Sequence, residues 1–393
     1  MHSEIFPDMS LALGIVSVAV WIYLICGRGG YWRGAIRDAT EASHPASNLY
    51  RWPVVTAIIP ARNESEFIGA SVQSLLRQEY PGQLNVFVVD DDSNDDTAAV
   101  ALRTANAVPD RQTTVIRSKG PAFGWTGKLS ALNEGIAAAG QANPYYLLLT
   151  DADIVHEPDT VAWLVGQALA GEYVLVSLMA KLRCESFAER SHVPAFIYFF
   201  QMLFPFAWVC RADSVVAAAA GGCILVRADA FAGAGGIAGI RNALIDDCSL
   251  AAKLKTIGPI WLGLTDRVHS VRPYDSMRDV KQMISRSAYA QLRYSPLLLA
   301  ATAIGLLMTF IAPPLLAVFA AGLPQYLGLA AWLAMALSFI PTLRFYRLSP
   351  FWSLALPAIA LLYLYYTFNS AYQYLRRRGG QWKGRVHDAP SLQ

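Results

Sequence analysis

The stretch Tyr146-Leu147-Leu148-Leu149-Thr150-Asp151-Ala152-Asp153 is an apolar run that stops in two carboxylates one residue apart. A run of this length predicts a buried strand, although a buried helix has the same composition. At the carboxyl end of a parallel strand, Asp151 and Asp153 would lie where open α/β sheets bind their ligands. A divalent cation that prefers oxygen ligands, Mg²⁺ or Mn²⁺, would relieve the repulsion between them. The same pattern also fits a polar turn in which Asp153 caps the following helix.

Strands and helices alternate along the chain on both sides of this stretch. Residues 54–59 and 86–89 are short apolar runs that predict strands, and each is followed by residues with helical spacing. Such alternation implies right-handed crossovers and an α/β fold with a mostly parallel sheet. The loops after parallel strands open on the same edge of the sheet. We therefore expect the polar loops at 60–64 and 90–97 to lie beside the two carboxylates.

The chain is too apolar for an ordinary soluble protein, because 54% of its 393 residues are hydrophobic, 16% are charged and the mean hydropathy is +0.33. The apolar excess lies at the N-terminus and after residue 295. This distribution predicts a soluble-type domain held between membrane segments. The predicted parts are an N-terminal anchor at 1–37 with a span at about 10–26, a linker at 38–52, a catalytic domain at 53–293, a C-terminal membrane region at 294–375 with spans at about 296–321, 324–343 and 351–374, and a basic tail at 376–393.

The distribution of charged residues and of cysteines predicts on which side of the membrane the domain lies. The net charge of +3 is small and dispersed, which gives no reason to expect a nucleic-acid partner. Basic residues follow the anchor between positions 28 and 37, so the positive-inside tendency predicts an external N-terminus and a cytoplasmic catalytic domain. The five cysteines form no Cys-x-x-Cys pair, as expected of reduced thiols in the cytoplasm. We predict a multi-pass protein of the inner (cell) membrane.

The C-terminal region contains a conflict between charge and span count. Arg344 and Arg347 precede the last predicted span, and a basic run at 376–378 follows it. With one span between them, the two basic groups cannot both be cytoplasmic. The pair Pro313-Pro314 could break the first C-terminal span into a re-entrant segment.

The segment at 193–209 is unusually rich in aromatic residues. Aromatic rings accumulate at membrane interfaces, where they lie at the level of the lipid headgroups. The segment would then hold the catalytic domain against the bilayer. Packing in the protein core is the alternative explanation.

Four motifs follow one another in the order Ile58-Ile59-Pro60-Ala61-Arg62-Asn63-Glu64, Val88-Val89-Asp90-Asp91-Asp92-Ser93 with Asp96-Thr97, Gly127-Lys128-Leu129-Ser130-Ala131-Leu132-Asn133-Glu134-Gly135, and Asp151-Ala152-Asp153. Together they resemble the successive motifs of family 2 glycosyltransferases with the GT-A fold. The resemblance covers about residues 53–290. The anchor and C-terminal spans resemble those of ceramide glucosyltransferase-like and hopanoid-associated membrane glycosyltransferases.

The resemblance implies that residues of these motifs bind a nucleotide sugar. Asp91 matches a carboxylate that accepts a hydrogen bond from uracil, which implies a UDP-sugar. Lys128 would lie near the phosphates or the sugar, and Arg286 could hold the diphosphate, although the usual Gln-x-x-Arg-Trp motif is absent around it. The implied donor-binding residues are Pro60, Ala61, Arg62, Glu64, Asp91, Lys128, Asp151 and Arg286.

The resemblance also implies a metal cofactor. Asp153 would bind Mn²⁺ or Mg²⁺ directly, Asp151 would bind the ribose or the metal, and His269 could be a further ligand. The cation would stabilise the charge that grows on the departing diphosphate. Capping roles for the aspartates and a structural role for His269 are the alternatives.

Asp246-Asp247 matches the acidic pair of the family, whose second member is the catalytic base. Asp247 would take the proton of an acceptor hydroxyl, and single displacement would invert the configuration of the sugar. Asp246 could instead cap the helix that follows. The predicted function is therefore transfer of a sugar from a nucleotide diphosphate to a membrane lipid, such as a hopanoid or a ceramide-like lipid. The alternatives are a polyprenyl-phosphate acceptor, which needs no base, and an inactive protein that binds nucleotide sugars.

Overall fold

The computed structural model describes residues 5–38, 51–108, 111–121, 123–376, 381–382 and 385–386. The predicted linker at 38–52 and the predicted basic tail at 376–393 lie mostly outside these residues. Within them, an eight-stranded sheet with helices on both faces adjoins a group of long apolar helices.

The apolar runs of the sequence form the strands of the central sheet. All seven residues of β1 and all seven of β2 are buried, as continuous hydrophobic runs in a parallel sheet should be. The strands are β1 Val55–Ala61, β2 Leu84–Asp90, β3 Thr113–Arg117, β4 Tyr146–Thr150, β5 Ile154–His156, β6 Leu175–Lys181, β7 Cys223–Arg227 and β8 Ile260–Ser270, with a separate pair of β9 Gln381–Trp382 and β10 Arg385–Val386.

The order of strands in the large sheet is β3-β2-β1-β4-β7-β6-β8-β5. The first four strands in this order are parallel to one another, and β6 is parallel to β8. Strand β7 runs antiparallel to its neighbours β4 and β6, and the short β5 runs antiparallel to β8. The predicted mostly parallel α/β sheet is confirmed. The carboxyl ends of β1, β2 and β4 meet at one edge, as the sequence predicted.

Helices cover both faces of the sheet and continue into the apolar region. Helix α4 comes close to the sheet at Gly135, where a Cβ atom would lie 2.6 Å from Cγ2 of Ile58. The helices are α1 Ile5–Ile22, α2 Ile68–Leu76, α3 Thr97–Asn106, α4 Gly127–Ala139, α5 Thr160–Ala170, α6 Phe187–Leu203, α7 Phe206–Val209, α8 Ala228–Gly233, α9 Asp246–Lys255, α10 Met277–Ser285, α11 Ala288–Gln291, α12 Pro296–Leu306, α13 Ala312–Phe319, α14 Leu323–Phe345 and α15 Leu356–Leu375.

Four helical segments of the described chain are long and apolar enough to cross a membrane by length and composition: Met9–Gly27, Pro296–Phe319, Leu323–Phe345 and Pro350–Leu375. They overlap the four predicted spans. The second contains a π-helical stretch, Leu307–Ile311, immediately before the Pro313-Pro314 pair in the first turn of α13. Proline lacks a backbone N–H and clashes with the preceding turn, which explains the irregular helix at this point.

Helix α6 lies between the sheet and the apolar helices. Val193 and Ile197 belong to the hydrophobic core beneath the sheet, whereas Tyr198 packs with residues of the apolar helices. The Tyr198 hydroxyl is 2.7 Å from Ser338 Oγ of α14, and its ring lies 5.1 Å from that of Phe339. The aromatic segment at 193–209 therefore joins the two parts of the molecule, and its placement at a bilayer surface stays a prediction.

Candidate functional site

A lysine and three carboxylates meet at the carboxyl edge of the sheet. Lys128, the second residue of α4, lies 2.9 Å from Asp151 Oδ1 and 3.3 Å from Asp246 Oδ2 through its Nζ atom. The N-terminus of α4 is fixed by Thr126, whose hydroxyl accepts a hydrogen bond from the Leu129 N–H. Asp246 and Asp247 begin α9. We call Lys128, Asp151, Asp246 and Asp247 the lysine cluster.

The lysine cluster lines a small cavity of about 20 Å³ that also touches Pro60 and Gly221. Burial alone would lower the pKa of Lys128, but the charges of Asp151 and Asp246 raise it above its ordinary value. The ammonium group is therefore held in its charged form within the cavity. Burial raises the pKa of Asp151, and Lys128 offsets part of that effect.

Two backbone N–H groups fix the Asp247 side chain. Gly221 donates to Oδ2 at 2.9 Å and Cys248 donates to Oδ1 at 2.7 Å. Burial and the neighbouring Asp246 carboxylate raise the pKa of Asp247 to about 6. The helix-capping role considered for Asp246 is not what the structure shows, because Ile245 occupies the N-cap position and Asp246 pairs with Lys128.

A second ion-pair group, the arginine cluster of Arg272, Glu64, Asp153 and Ser270, lies at the carboxyl ends of β1, β4 and β8. Arg272 donates from Nη2 to both Glu64 oxygens at 2.7 and 2.6 Å, and from Nε to Asp153 Oδ2 at 2.9 Å. The Ser270 hydroxyl donates to the same Asp153 oxygen at 3.0 Å. Burial alone would lower the pKa of Arg272, but the two carboxylates raise it. The guanidinium thereby ties the loops after β1, β4 and β8 together.

The loops after β1 and β2 are joined by hydrogen bonds that involve side chains. Arg62 donates from Nη1 to the carbonyl oxygens of Asp91 and Asp92, and its Nη1 lies 3.9 Å from Asp91 Oδ2. Asp91 is fully buried in this arrangement. The Glu64 N–H donates to Thr97 Oγ1 at 2.8 Å. The predicted donor-binding loops thus form one connected edge beside the two clusters.

The site and fold can now be compared with known proteins. The family model described as glycosyl transferase family 2 matches residues 56–233. The chain contains a family 2 glycosyltransferase domain. This match spans β1 to α8 and includes Lys128 and both carboxylates after β4.

Two curated relatives each match about a third of this chain. An N-acetylglucosaminyltransferase of Rhizobium leguminosarum bv. viciae is 34% identical over 131 residues, which are 33% of this chain and 29% of the relative. A 4,4′-diaponeurosporenoate glycosyltransferase of Staphylococcus aureus (strain USA300) is 35% identical over 126 residues, which are 32% of this chain and 31% of the relative. The chain therefore spans less than a third of the length of each.

The family 2 glycosyltransferase domain and its apolar helices also resemble a solved structure. The mannosyltransferase PcManGT from Pyrobaculum calidifontis, solved with GDP-Man and Mn²⁺, aligns with a TM-score of 0.55 at 20% identity. The alignment covers 93% of this chain and 99% of that protein. At this identity the likeness concerns the fold, and it confirms the predicted GT-A fold.

The structure places the predicted site residues His269 and Arg286 differently with respect to the clusters. His269 lies within β8, next to Ser270, and the alternation of side chains along a strand places it on the opposite face from the Ser270 hydroxyl. Arg286 follows the last residue of α10. Its positive charge acts on Tyr274, whose pKa is raised by burial and by the nearby Asp153. Arg286 is thus near the arginine cluster.

Sequence reasoning missed Arg272, Ser270 and Gly221. Arg272 belongs to the basic stretch between residues 267 and 293, which the sequence shows, but nothing local distinguishes it from the other arginines there. Its partner Glu64 is 208 positions away. Gly221 reaches Asp247 only because β7 adds antiparallel to β4.

The donor atoms of the site suit a hard divalent cation. Asp151 and Asp153 present carboxylates on neighbouring sides of one strand end, each now held by a cationic side chain. Magnesium-type ions are commonly held by one or two carboxylates together with substrate phosphates. Among residues 5–38, 51–108, 111–121 and 123–376, no group of three or more His, Cys, Asp or Glu side chains is placed to bind a metal. A cation here would therefore share its coordination sphere with the ligand.

Proposed function

We propose that this protein is a membrane-embedded, inverting glycosyltransferase that transfers a sugar from a nucleotide diphosphate to a hydroxyl group of a membrane lipid. The family 2 domain supports the reaction class. The single observation that carries the proposal is the geometry of Asp247, a partly buried carboxylate fixed by two backbone N–H groups at the wall of the cavity. A UDP-sugar is the proposed donor, following the family role of Asp91.

Asp247 has the properties of a general base for an acceptor hydroxyl. Its side chain cannot turn away without losing both hydrogen bonds, so its remaining lone pairs keep one direction. A base works best when its pKa lies near the working pH, and the raised pKa of about 6 approaches that range. Attack by a hydroxyl on the anomeric carbon, with the proton passing to Asp247, displaces the diphosphate from the opposite face.

Lys128 is the cation that would meet the diphosphate, and Arg272 would hold Glu64 and Asp153 in place beside it. Both are charged, both are partly buried, and each already contacts one of the two carboxylates after β4. Asp151 and Asp153 would hold Mn²⁺ or Mg²⁺, which supplies a Lewis acid for the leaving group when it is bound. Pro60 lines the cavity. Arg62 and Ala61 fix the loop that we propose to face the nucleoside.

A lipid acceptor is supported by the position of the domain against the apolar helices. One side of helix α6 packs in the hydrophobic core beneath the sheet, and the other side contacts α14. The sheet is therefore attached to the proposed membrane region. One relative is named for transfer to 4,4′-diaponeurosporenoate, which supports a lipid-like acceptor. We propose a hopanoid or a ceramide-like lipid as acceptor, and a location in the inner (cell) membrane with the catalytic domain in the cytoplasm.

The test is transfer to lipid in membranes that contain the full chain. Membranes with and without the protein are incubated with UDP-sugars or GDP-sugars and Mn²⁺, and the lipids are analysed by mass spectrometry. We expect a new hexosyl lipid with a UDP-sugar, and none with Asp153→Ala. Equal background signals for wild type and Asp153→Ala would overturn the enzymatic proposal in favour of a nucleotide-sugar-binding protein.

A polyprenyl phosphate is the second candidate acceptor, and PcManGT, which aligns with 93% of this chain, is a mannosyltransferase solved with GDP-Man. A phosphate oxygen is already ionised and needs no base. The mass of the product distinguishes a glycosylated phosphate from a glycosylated hydroxyl, and the response to Asp247→Asn gives an independent answer.

A further inference from the structure

The helix α15 is apolar and long enough to cross a membrane, but both of its ends contact the catalytic domain. Before its N-terminus, the Trp352 ring lies 5.7 Å from the ring of Phe187, the first residue of α6. Near its C-terminus, the Tyr374 ring lies 5.5 Å from that of Tyr289 of α11, which belongs to that domain, and stacks at 4.3 Å on Tyr294, which directly follows it. A helix of 20 residues is about 30 Å long, so a crossing helix would carry one end far from that domain.

The middle of α15 is also attached to the catalytic domain. The hydroxyl of Tyr363 donates to the His192 carbonyl of α6 at 2.9 Å, and that of Tyr366 lies 3.2 Å from His192 Nε2. Further along, Ser285 of α10 donates to the Tyr366 carbonyl at 3.0 Å, and Ser370 accepts from the Tyr289 N–H at 3.1 Å. One face of α15 thus contacts α6, α10 and α11, and α15 also packs against α12 and the π-helical stretch Leu307–Ile311.

Helix α14 shows the contrasting arrangement. Its C-terminal part contacts α6 through Ser338 and Phe339. Its N-terminal part packs instead on other apolar helices, with Leu327 against Gly14 of α1 and Gly328 against Leu316 of α13. This helix leads away from the catalytic domain, as a membrane-spanning helix must.

The opposite face of α15 is an exposed stripe of Leu361, Tyr365, Phe368, Tyr372 and Leu375. The spacing of four, three, four and three residues keeps the stripe on one side of a helix. Cations lie beside its rings: Lys281 Nζ is 4.8 Å from the Tyr365 ring and Arg376 is 5.0 Å from the Tyr372 ring. Aromatic rings flanked by Lys and Arg are typical of the boundary between headgroups and acyl chains.

We propose that α15 lies in the plane of the membrane on the side of the catalytic domain, with its exposed stripe set into the headgroup region of anionic phospholipids, because both of its ends and its middle are bound to that domain. The chain then crosses the membrane three times. Arg344, Arg347 and Arg376 then all fall on the same side, which removes the conflict between charge and span count. The proposal rests on the membrane location proposed above.

Depth measurements on two matched pairs of positions test this orientation. Leu361 and Leu375 of α15 are exposed and 14 residues apart, and so are Leu323 and Leu337 of α14. Each is changed singly to Cys in a Cys26→Ser background, spin-labelled in vesicles containing phosphatidylglycerol, and measured by electron paramagnetic resonance with oxygen and a polar nickel complex. We expect equal depths for the α15 pair and a difference of about 21 Å for the α14 pair. A difference of similar size for the α15 pair would overturn the proposal.

Labelling from the two sides of the membrane gives an independent answer. An impermeant maleimide is applied to intact spheroplasts and to inverted vesicles that carry Leu375→Cys, Ala321→Cys or Ala232→Cys, and peptide mass spectrometry separates these positions from the native cysteines. We expect position 375 to label with position 232 of the catalytic domain, and position 321, between α13 and α14, to label from the other side. Labelling of 375 together with 321 would overturn the proposal. If all three positions label from one side, the chain does not cross the membrane as proposed, and the in-plane orientation of α15 is overturned with it. The result of the transfer assay does not depend on that outcome.

Discussion

The two ion-pair clusters at the edge of the sheet differ in how their charges are balanced. The lysine cluster places three carboxylates around one ammonium, lines the cavity and contains an aspartate with a raised pKa of about 6. The arginine cluster places two carboxylates around one guanidinium, which satisfies them through three short hydrogen bonds. The first cluster retains a carboxylate with no cation of its own, and the second holds three loops together. We infer that the lysine cluster supplies the base, and that Arg272 of the arginine cluster maintains the geometry of the loops and of the proposed metal ligand Asp153.

The largest effect should come from Asp247→Asn. This change keeps the shape of the side chain but removes the proton acceptor, so kcat should fall on the order of 10³-fold. Donor binding, measured by calorimetry, should change little, because Asp247 is proposed to act on the acceptor. Asp229→Asn is the matched control, since Asp229 pairs with Arg227 away from the cavity.

A tolerated Asp247→Asn would contradict the hydroxyl-acceptor proposal and favour a phosphate acceptor. Loss of donor binding in this variant would show that Asp247 contacts the donor. In either case the assignment of chemistry to the lysine cluster would need revision.

A smaller effect is expected from Asp153→Asn. The change removes a negative charge that the proposed cation needs, so transfer should fall about 100-fold. Added Mn²⁺ should restore part of the activity by mass action. The variant Asp159→Asn, at an ion pair with Arg267 outside the cavity, should retain both activity and metal response. An unchanged Mn²⁺ requirement in Asp153→Asn would place the metal elsewhere.

Arg272→Lys tests whether the arginine cluster is structural. Lysine keeps the charge but cannot direct separate nitrogens at Glu64 and Asp153, so the free energy of unfolding should fall by about 1.5 kcal/mol. Transfer should fall about tenfold because the loops after β1, β4 and β8 lose their common contact. Arg267→Lys is the control, since Arg267 also contacts two aspartates, Asp38 and Asp159.

For Arg267→Lys we expect a similar loss of thermal stability in detergent without a loss of transfer. If Arg272→Lys lowers transfer without changing stability, Arg272 contacts the donor directly. The comparison between the clusters would then shift, with both taking part in chemistry.

The sequence predicted the parts of the site that depend on local pattern. Strand β4 and helix α4 begin and end where their apolar run and helical spacing predict, and they deliver Asp151 and Lys128 to the same edge. A short buried strand that ends in charged residues has few alternatives in a parallel sheet. The edge that holds the lysine cluster was therefore predictable.

The sequence could not predict contacts made by distant segments. The pairing of Arg272 with Glu64 depends on β8 joining the sheet far from β1 in the chain, and neither residue has a local feature that selects the other. His269 was considered as a metal ligand because of its residue type. Strand alternation turns Ser270, the neighbouring residue, toward Asp153 instead. The proposed in-plane orientation of α15 likewise depends on contacts, because its composition also suits a span.

The smallest predicted effect is on the pH dependence of transfer, which distinguishes the two clusters. Asp247 must be deprotonated to accept a proton, and burial with Asp246 raises its pKa to about 6. Log kcat should therefore be flat above about pH 7 and fall with unit slope below about pH 6, a loss of about tenfold at pH 5. Asp246→Asn removes a negative charge that raises the pKa of Asp247. The bend in the pH profile should therefore move to lower pH, whatever the absolute value of kcat. The same bend in Arg272→Lys as in wild type would confirm that the proton is held by the lysine cluster. A wild-type profile flat to pH 5, or an upward shift in Asp246→Asn, would rule out Asp247 as the titrating base.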